Sequence, residues 1–507
     1  MKALPTPREM AIADQATIAS GVPATVLMER AGSAVARATL EVVGGRYGKR
    51  VAVVCGTGNN GGDGFVAARI LHCEGCAVRC IVVGDLESVK GAAAHHLDLM
   101  RTRGVSVEAL GTDGLKADAI VDAIFGTGFH GSAEGAADAA IRAMDAETAP
   151  VVAADIPSGL DGLTGRAQGP AVHAAITVTM GARKLGLAIQ DGPQHAGRID
   201  VADIGIPQPT TMNYLLDTDD VIEFMPQRNP ADHKRSGASV LILAGSDSVP
   251  GAPMLAARAA GRMGAGYVTL ASTSKAIEAA AVRLPEVLKH ICSPGDHLGP
   301  EALDELKGPL EYATVLAVGP GLGEGSDQRA LVERILGEID IPIVVDADGL
   351  NVLAGNTELL RRRSDEGRKT VITPHPGELA KLLASSVDDV QGDRMAAVRE
   401  ASSRFGCVVV LKGHGTLIAD GAEQVVAVNP TGGPVLATAG TGDVLTGALA
   451  ALFTRAEGSV FGRACAAVYL HGLAGDIVAA ERGSVGALAW DVAESLPAAI
   501  ATIGASA

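Results

Sequence analysis

Residues 437–447 read ATAGTGDVLTG, in which Ala439, Gly440, Thr441 and Gly442 run into Asp443 and then into the helical spacing Val444, Leu445, Leu449. A glycine-rich turn that opens a helix gathers unpaired backbone N–H groups and the positive end of the helix dipole at one point. Such a point holds a phosphate or a developing oxyanion. An Asp at its rim can take the proton of a hydroxyl aimed at that phosphate. A second reading has Asp443 merely capping the helix, and the rest of the chain has to decide between them.

At 507 residues the chain exceeds one ordinary core, and at least two domains are expected. Hydrophobic residues make up 47% but aromatics only 3%, with 64 glycines, which suits an α/β protein with many tight strand-to-helix turns. The net charge of −16 argues against a nucleic-acid or anionic-membrane partner, though not against small phosphorylated ligands. Pro5, Pro7, Arg8, Glu9 and Asp14 stand where a signal peptide needs an apolar run. No stretch approaches the roughly 20 apolar residues that span a membrane, and seven unevenly placed cysteines indicate a reducing cytoplasm. Cys73, Cys76 and Cys80, with His72, could be metal ligands. Gly75 as a helix C-cap and strand-like alternation of Cys76, Val78 and Cys80 favour packing instead.

Helical spacing covers residues 10–45. RVAVVCGTGNNGGDGFVAARIL (50–71) then sets an apolar strand, Val51 to Val54, before five interleaved glycines and a helix beginning at Phe65. This order cradles a phosphate, but it is not GxGxxG with an acidic ribose ligand, so ordinary NAD binding is weakly supported. In ADAIVDAIFGTGFHG (117–131), Asp122 lies inside a strand, where a carboxylate needs a cation or donors. PVVAADIPSGLDG (150–162) presents Asp155 at a strand's carboxyl end, and Lys184 follows the next strand. Ligands sit at the carboxyl ends of parallel strands, so these loops converge on one site carrying Asn60, Asp122, Asp155 and Ser158. Pro207 and Pro209 mark the exit from a doubly wound domain.

Residues 211–235 read as linker and cap, with the basic patch His233-Lys234-Arg235 either a solvated turn or a ligand contact. Alternating strands and helices resume beyond it. VGPGLG (318–323) follows one strand, and DADGLN (346–351) follows another with two carboxylates that could bind a metal or cap a helix. TPHPGE (373–378) and LKGHGT (411–416) precede the opening stretch.

NNGGDG, DAIFGTG and DIPSGLDG, in that order, resemble the YjeF N-terminal domain, the NAD(P)H-hydrate epimerase family, over roughly residues 10–210. PGAPMLAARAA (250–260), VGPGLG, DADGLN, TPHPGE, LKGHGT and ATAGTGDVLTG resemble the YjeF C-terminal family, ribokinase-like ADP- or ATP-dependent NAD(P)H-hydrate dehydratases, over roughly 220–503. AGSDS stands where that family usually has Gly-Gly-Ser, and Ala439 where a Gly is frequent; both exchanges are small for small. The resemblance implies an α/β chain in two domains, 1–212 Rossmann-like and doubly wound, 213–507 ribokinase-like. It implies that Asn59, Asn60, Gly61, Gly62, Asp63 and the stretch Gly126, Thr127, Gly128, Phe129, His130, Gly131 hold the hydrated dinucleotide. Potassium would sit on Asn60, Asp122 and Ser158, with Asp155 as acid/base and Lys184 beside it.

In the second domain, Lys412, Gly413, His414, Gly415, Thr416 and the segment Thr431–Gly442 would line ADP, with Mg²⁺. Ala252, Gly321 or Leu322, His375 and Asp443 would contact the hydrated nicotinamide. Asp443 would then serve phosphoryl transfer to the ring hydroxyl, after which phosphate leaves to restore NADH or NADPH. The implied substrates are NADHX, NADPHX and ADP, and family members of this kind commonly assemble as homo-oligomers. Two other readings are a vitamin-precursor or sugar kinase with an accessory domain, and a nucleotide-sensing scaffold with a dead kinase fold. Residues 10–210 discriminate against the first, intact Asp155 and Asp443 against the second.

Overall fold

Short runs of Val, Ile and Ala become the strands of two largely parallel sheets. The computed structural model describes residues 1–111, 114–225, 239–453 and 459–504; the patch His233-Lys234-Arg235 lies outside them. The chain divides into two compact units, Ala3–Asn213, and Tyr214–Ala507 with Met1–Lys2.

In the first unit the strands are β1 (Arg50–Cys55), β2 (Ala77–Val82), β3 (Val107–Glu108), β4 (Ala119–Ala123), β5 (Val151–Ala154), β6 (Ile176–Met180) and β7 (Arg198–Ala202). Their order is β3-β2-β1-β4-β5-β6-β7, and every neighbouring pair is parallel. Val51, Val53 and Cys55 enter the core on one face, Ala52 and Val54 that on the other. Burial on both faces is why this strand reads as a continuous apolar run. The order reverses between β1 and β4, the crevice where open α/β sheets take ligands.

Two sequence expectations change here. Residues 10–45 are two helices, Pro7–Ala19 and Ala24–Val43. Gly21 takes a φ of +106° and Pro23 has no N–H to give, so the helix cannot run through. The glycine motif is likewise not all loop, because the next helix starts at Asn59 and runs to Cys73. Gly61 and Gly64 are needed for packing: a Cβ would run into the Gly56 carbonyl at the first and lie 2.5 Å from Cys55 Sγ at the second. Cys76 and Cys80 are buried, and Cys76 donates its thiol hydrogen to the Arg46 carbonyl (3.2 Å).

The second unit holds β8 (Ser239–Leu243), β9 (Tyr267–Thr273), β10 (Leu288–Ser293), β11 (Val315–Val318), β12 (Ile343–Val345), β13 (Thr370–Ile372), β14 (Val408–Leu411), β15 (Leu417–Asp420) and β16 (Val425–Val428). They run β16-β15-β14-β13-β12-β11-β8-β9-β10. The pairs β14/β15 and β15/β16 are antiparallel, the others parallel. The reversal falls between β8 and β11. The helix Thr441–Leu452 packs closely on the helix Gly251–Arg262, because Gly447 leaves room only for the Ala256 carbonyl.

Candidate functional site

A cleft of about 1110 Å³ opens over the β1/β4 crevice, lined among others by Asn59, Asn60, Asp63, Phe125 to His130, Asp155 and Lys184. Asp155 ends β5 in the left-handed region, at φ +68°, a conformation that costs an ordinary L-residue energy and so needs support. Its N–H donates to the Val178 carbonyl (2.7 Å). Its Oδ1 lies 2.5 Å from Lys184 Nζ, and its Oδ2 accepts the Thr127 N–H (3.3 Å). Lys184 is 2% exposed and also donates to Thr179 Oγ1 (2.9 Å) and the Met180 carbonyl (2.7 Å). All three ammonium donors are therefore spent. Asp63 faces the same cleft, and burial, then the charge of Asp155, push its carboxyl well above the usual range.

Below the cleft, fully buried Asp122 accepts from the Ser158 N–H (2.7 Å), the Ser158 hydroxyl (2.6 Å) and the Ile124 N–H (3.3 Å). Burial still outweighs these bonds and pushes its carboxyl up to about 6. Asn60 donates its amide to the Phe125 carbonyl (2.8 Å), which leaves Oδ1 buried with no donor among the described residues. An acceptor-only oxygen without a donor, beside a costly carboxylate, is a donor set suited to a monovalent cation.

In the second unit the ends of β12, β13 and β14 bring charged side chains together. Asp346 follows β12 and is buried; its Oδ1 lies 2.7 Å from Lys412 Nζ and its Oδ2 accepts the Thr446 hydroxyl (2.6 Å). Glu378 Oε2 lies 3.6 Å from the same ammonium. Burial works against charge on Lys412, but Asp346 and Glu378 prevail and hold it above its usual range. A Cβ on Gly442 would lie 3.6 Å from Lys412 Nζ, so the ammonium sits under the glycine turn. Gly440, at φ +92°, is the helix N-cap, and no side chain caps the helix. Asp443 is thus in the first turn of the helix and free of the capping role. Burial, then the charge of Asp346, push its carboxyl up to about 7.

His375 is the N-cap of helix Pro376–Leu383: Nδ1 accepts the N–H groups of Gly377 (3.0 Å) and Glu378 (3.4 Å), while Glu378 Oε2 accepts the His375 N–H (2.7 Å). A neutral ring then carries its proton on Nε2, 3.3 Å from Glu378 Oε1. Leu322 is fully buried and spends its N–H on the Gly319 carbonyl (3.0 Å), whereas Gly321 sits at φ +65° with no room for a side chain beside Val249. Ala252 lies in the first turn of Gly251–Arg262. Gly61, Gly62, Gly131, Asp122 and Ser158 are not among the residues lining the first cleft. Of the two DADGLN carboxylates neither caps its own helix: Asp346 is engaged on both oxygens, and Asp348 accepts the Gly323 N–H (2.8 Å). Sequence reasoning missed Thr446, which lies inside ATAGTGDVLTG one helical turn beyond Gly442 but reads as an ordinary residue of the apolar helix. No described helix is long and apolar enough to cross a membrane.

Residues 24–186 match the family model of the YjeF-related protein N-terminus, and residues 240–498 that of NAD(P)H-hydrate dehydratase. The bifunctional NAD(P)H-hydrate repair enzyme Nnr of Moorella thermoacetica is 39% identical over 500 residues, 94% of this chain and 92% of that one. Its namesake in Coxiella burnetii is 36% identical over 493 residues, 96% of each chain. Among solved structures, an ADP/ATP-dependent NAD(P)H-hydrate dehydratase from Bacillus subtilis, co-crystallised with ATP/Mg²⁺, is 28% identical and covers 57% of this chain and 98% of its own, with a TM-score of 0.49. With two family models in tandem and relatives matching nearly end to end, this chain belongs to the family of bifunctional NAD(P)H-hydrate repair enzymes.

Proposed function

We propose that residues 1–212 interconvert the R and S hydrates of NADH and NADPH, and that residues 213–507 dehydrate the S form at the expense of ADP, giving AMP and phosphate. The observation that carries this reading is a pair of site carboxylates in different settings, one in each unit. Asp155 lies against the Lys184 ammonium, while Asp443 makes no direct ion pair among the described residues, and burial and Asp346 outweigh the more distant Lys412 to push it up to about 7. A carboxylate poised near neutrality suits a general base at cellular pH.

In the first site Asp155 gives a proton to the hydroxyl oxygen as the ring carbon–oxygen bond breaks and water departs, the ring nitrogen's electron pair holding the carbon meanwhile. Water then adds to the opposite face and returns its proton to Asp155, with Lys184 holding that carboxylate in place. Thr127 and Phe129 bound the ring's pocket, and Asn59 and His130 its rim. Potassium, when bound, supplies fixed positive charge; Asn60 Oδ1, Asp122 and the Ser158 oxygen would hold it.

In the second site Asp443 takes the proton of the ring hydroxyl as its oxygen attacks the terminal phosphorus of ADP, and AMP departs. The ring carbon–oxygen bond then breaks, phosphate leaves with that electron pair, and loss of a proton from the neighbouring ring carbon completes the double bond. Lys412 and the amides of the Gly440–Gly442 turn meet the charge that develops on the transferring group. Gly321, rather than Leu322, is the contact on the VGPGLG loop, and His375 offers its Nε2 side. Mg²⁺, when bound, neutralises phosphate charge; it takes few protein carboxylates, and Asp348 has an oxygen to give where Asp346 has none. Seven free cysteines accord with a reducing cytoplasm.

The test is to incubate the chain with a mixed R/S NADH hydrate and ADP, then ATP, while following NADH absorbance. Recovery of all the hydrate is expected; recovery with neither nucleotide sinks the dehydratase reading, and recovery stopping at the S fraction sinks the epimerase one.

A further inference from the structure

The turn between β14 and β15 rests on a buried cation that has no counter-charge among the described residues. Arg394 opens the helix Arg394–Phe405 and is 5% exposed. Its guanidinium donates to three main-chain carbonyls of that turn: Leu411 (3.2 Å), Lys412 (3.2 Å) and His414 (2.6 Å). Gly413, at φ +140°, makes the approach possible, since a Cβ there would lie 2.9 Å from Arg394 Nη2. Among the described residues Arg394 meets no carboxylate, and its Nε has no partner. Burial alone pushes the guanidinium down to about 10, still charged at neutral pH. A buried charge without its opposite is costly, and it persists where something from outside supplies the missing charge.

The direction of the turn's amides follows from the same bonds. A trans peptide is planar, so the N–H of one residue points opposite to the carbonyl of the residue before it. With the Lys412 and His414 carbonyls drawn toward Arg394, the N–H groups of Gly413 and Gly415 point away from it. Neither N–H meets an acceptor among the described residues, whereas the Gly413 carbonyl already accepts the Thr416 hydroxyl (2.9 Å). Two free amides pointing to the same side, over a buried positive charge, form an anion-binding site.

We propose that Arg394 is a positioning residue for the nucleotide: it aims the Gly413 and Gly415 amides at a phosphate group of a nucleoside diphosphate and supplies, from beneath, charge that attracts it. This rests on the reading that Lys412–Thr416 lines ADP. Arg394 touches neither the nucleotide nor the reacting atoms; it acts through the turn.

The full chain is to be compared with Arg394→Met and Arg394→Lys by initial rates of dehydration across ADP concentration, with epimer exchange measured on the same samples. Arg394→Met is expected to raise KM for ADP at least tenfold while kcat at saturating ADP stays within threefold, with epimer exchange unchanged. Arg394→Lys keeps the charge but not the three-carbonyl grip, and is expected to fall between. A purely structural role predicts the reverse split, kcat lowered with the folded fraction at unchanged KM, and would overturn the proposal. Should the Met variant not fold, the Lys variant decides by the same split. Gly415→Ala and Lys412→Met separate the two levels of the reading. If they raise KM for ADP and Arg394 variants do not, the positioning role is wrong and the nucleotide site stands. If none of the four raises it, both fall.

Discussion

Lys184 Nζ lies 2.5 Å from Asp155 Oδ1 with its other two donors held by Thr179 and the Met180 carbonyl, so the pair is locked to the end of β6 as well as β5. Breaking such a pair leaves an uncompensated charge in a desolvated place. Lys184→Met is predicted to cost about 3 kcal/mol in stability and to slow epimer exchange by about 10²-fold or more. Dehydration of purified S hydrate should persist. Thermal unfolding with chiral separation of the hydrates checks this, and loss of both activities in a folded variant would contradict it.

Asp443→Asn removes the only base assigned to the ring hydroxyl. Dehydration should fall by about 10²–10⁴-fold while epimer exchange remains at the parent rate. Its carboxyl, at about 7 in the free protein, must be ionised to act, so kcat/KM should drop tenfold per pH unit below about 7. Asp346 contributes part of that elevation, and Asp346→Asn should therefore move the limb to lower pH. A limb that stays in place or moves upward speaks against Asp443 as the base.

The ion assigned to Asn60, Asp122 and Ser158 has a thermodynamic signature that needs no activity. Asp122 is at about 6 in the folded protein, above its ordinary value of 3.8. Unaided, it contributes stability at low pH that is lost as pH rises through 6. A bound cation favours the charged form and offsets that loss. The rise in Tm on exchanging sodium for potassium should thus be larger at pH 8 than at pH 5; equal shifts at both would refute the assignment.

Much of this was legible in the sequence because the chemistry sits on loops whose residue types are forced locally. DIPSG after an apolar run places Asp155 at a strand end, and GTGD before an apolar helix places Asp443 at its start, with no knowledge of partners needed. Partners were not legible. Asp346 and Lys412 are 66 residues apart, and nothing in DADGLN says which carboxylate turns inward. Arg394 reads as an ordinary helix residue until its carbonyl grip is seen. The role of His375 as an N-cap is a local one: His-Pro-Gly-Glu sets Pro at the first helical position and Glu at the third, a capping signature. The helix break at Gly21 and Pro23 is likewise local, but apolar spacing on both sides masks its punctuation.

The left-handed backbone at Asp155 leaves few replacements that the main chain tolerates. Asn and Gly accept a φ of +68° with little strain, and β-branched residues do not. Asp155→Asn is also nearly isosteric and keeps an acceptor for the Lys184 ammonium, so the position can be silenced chemically without backbone strain, at the cost of the buried pair's charge. Such a chain would leave the R hydrate untouched and still consume the S hydrate, so the NADH released from a damaged nicotinamide sample would report its stereochemical composition, the parent protein supplying the total.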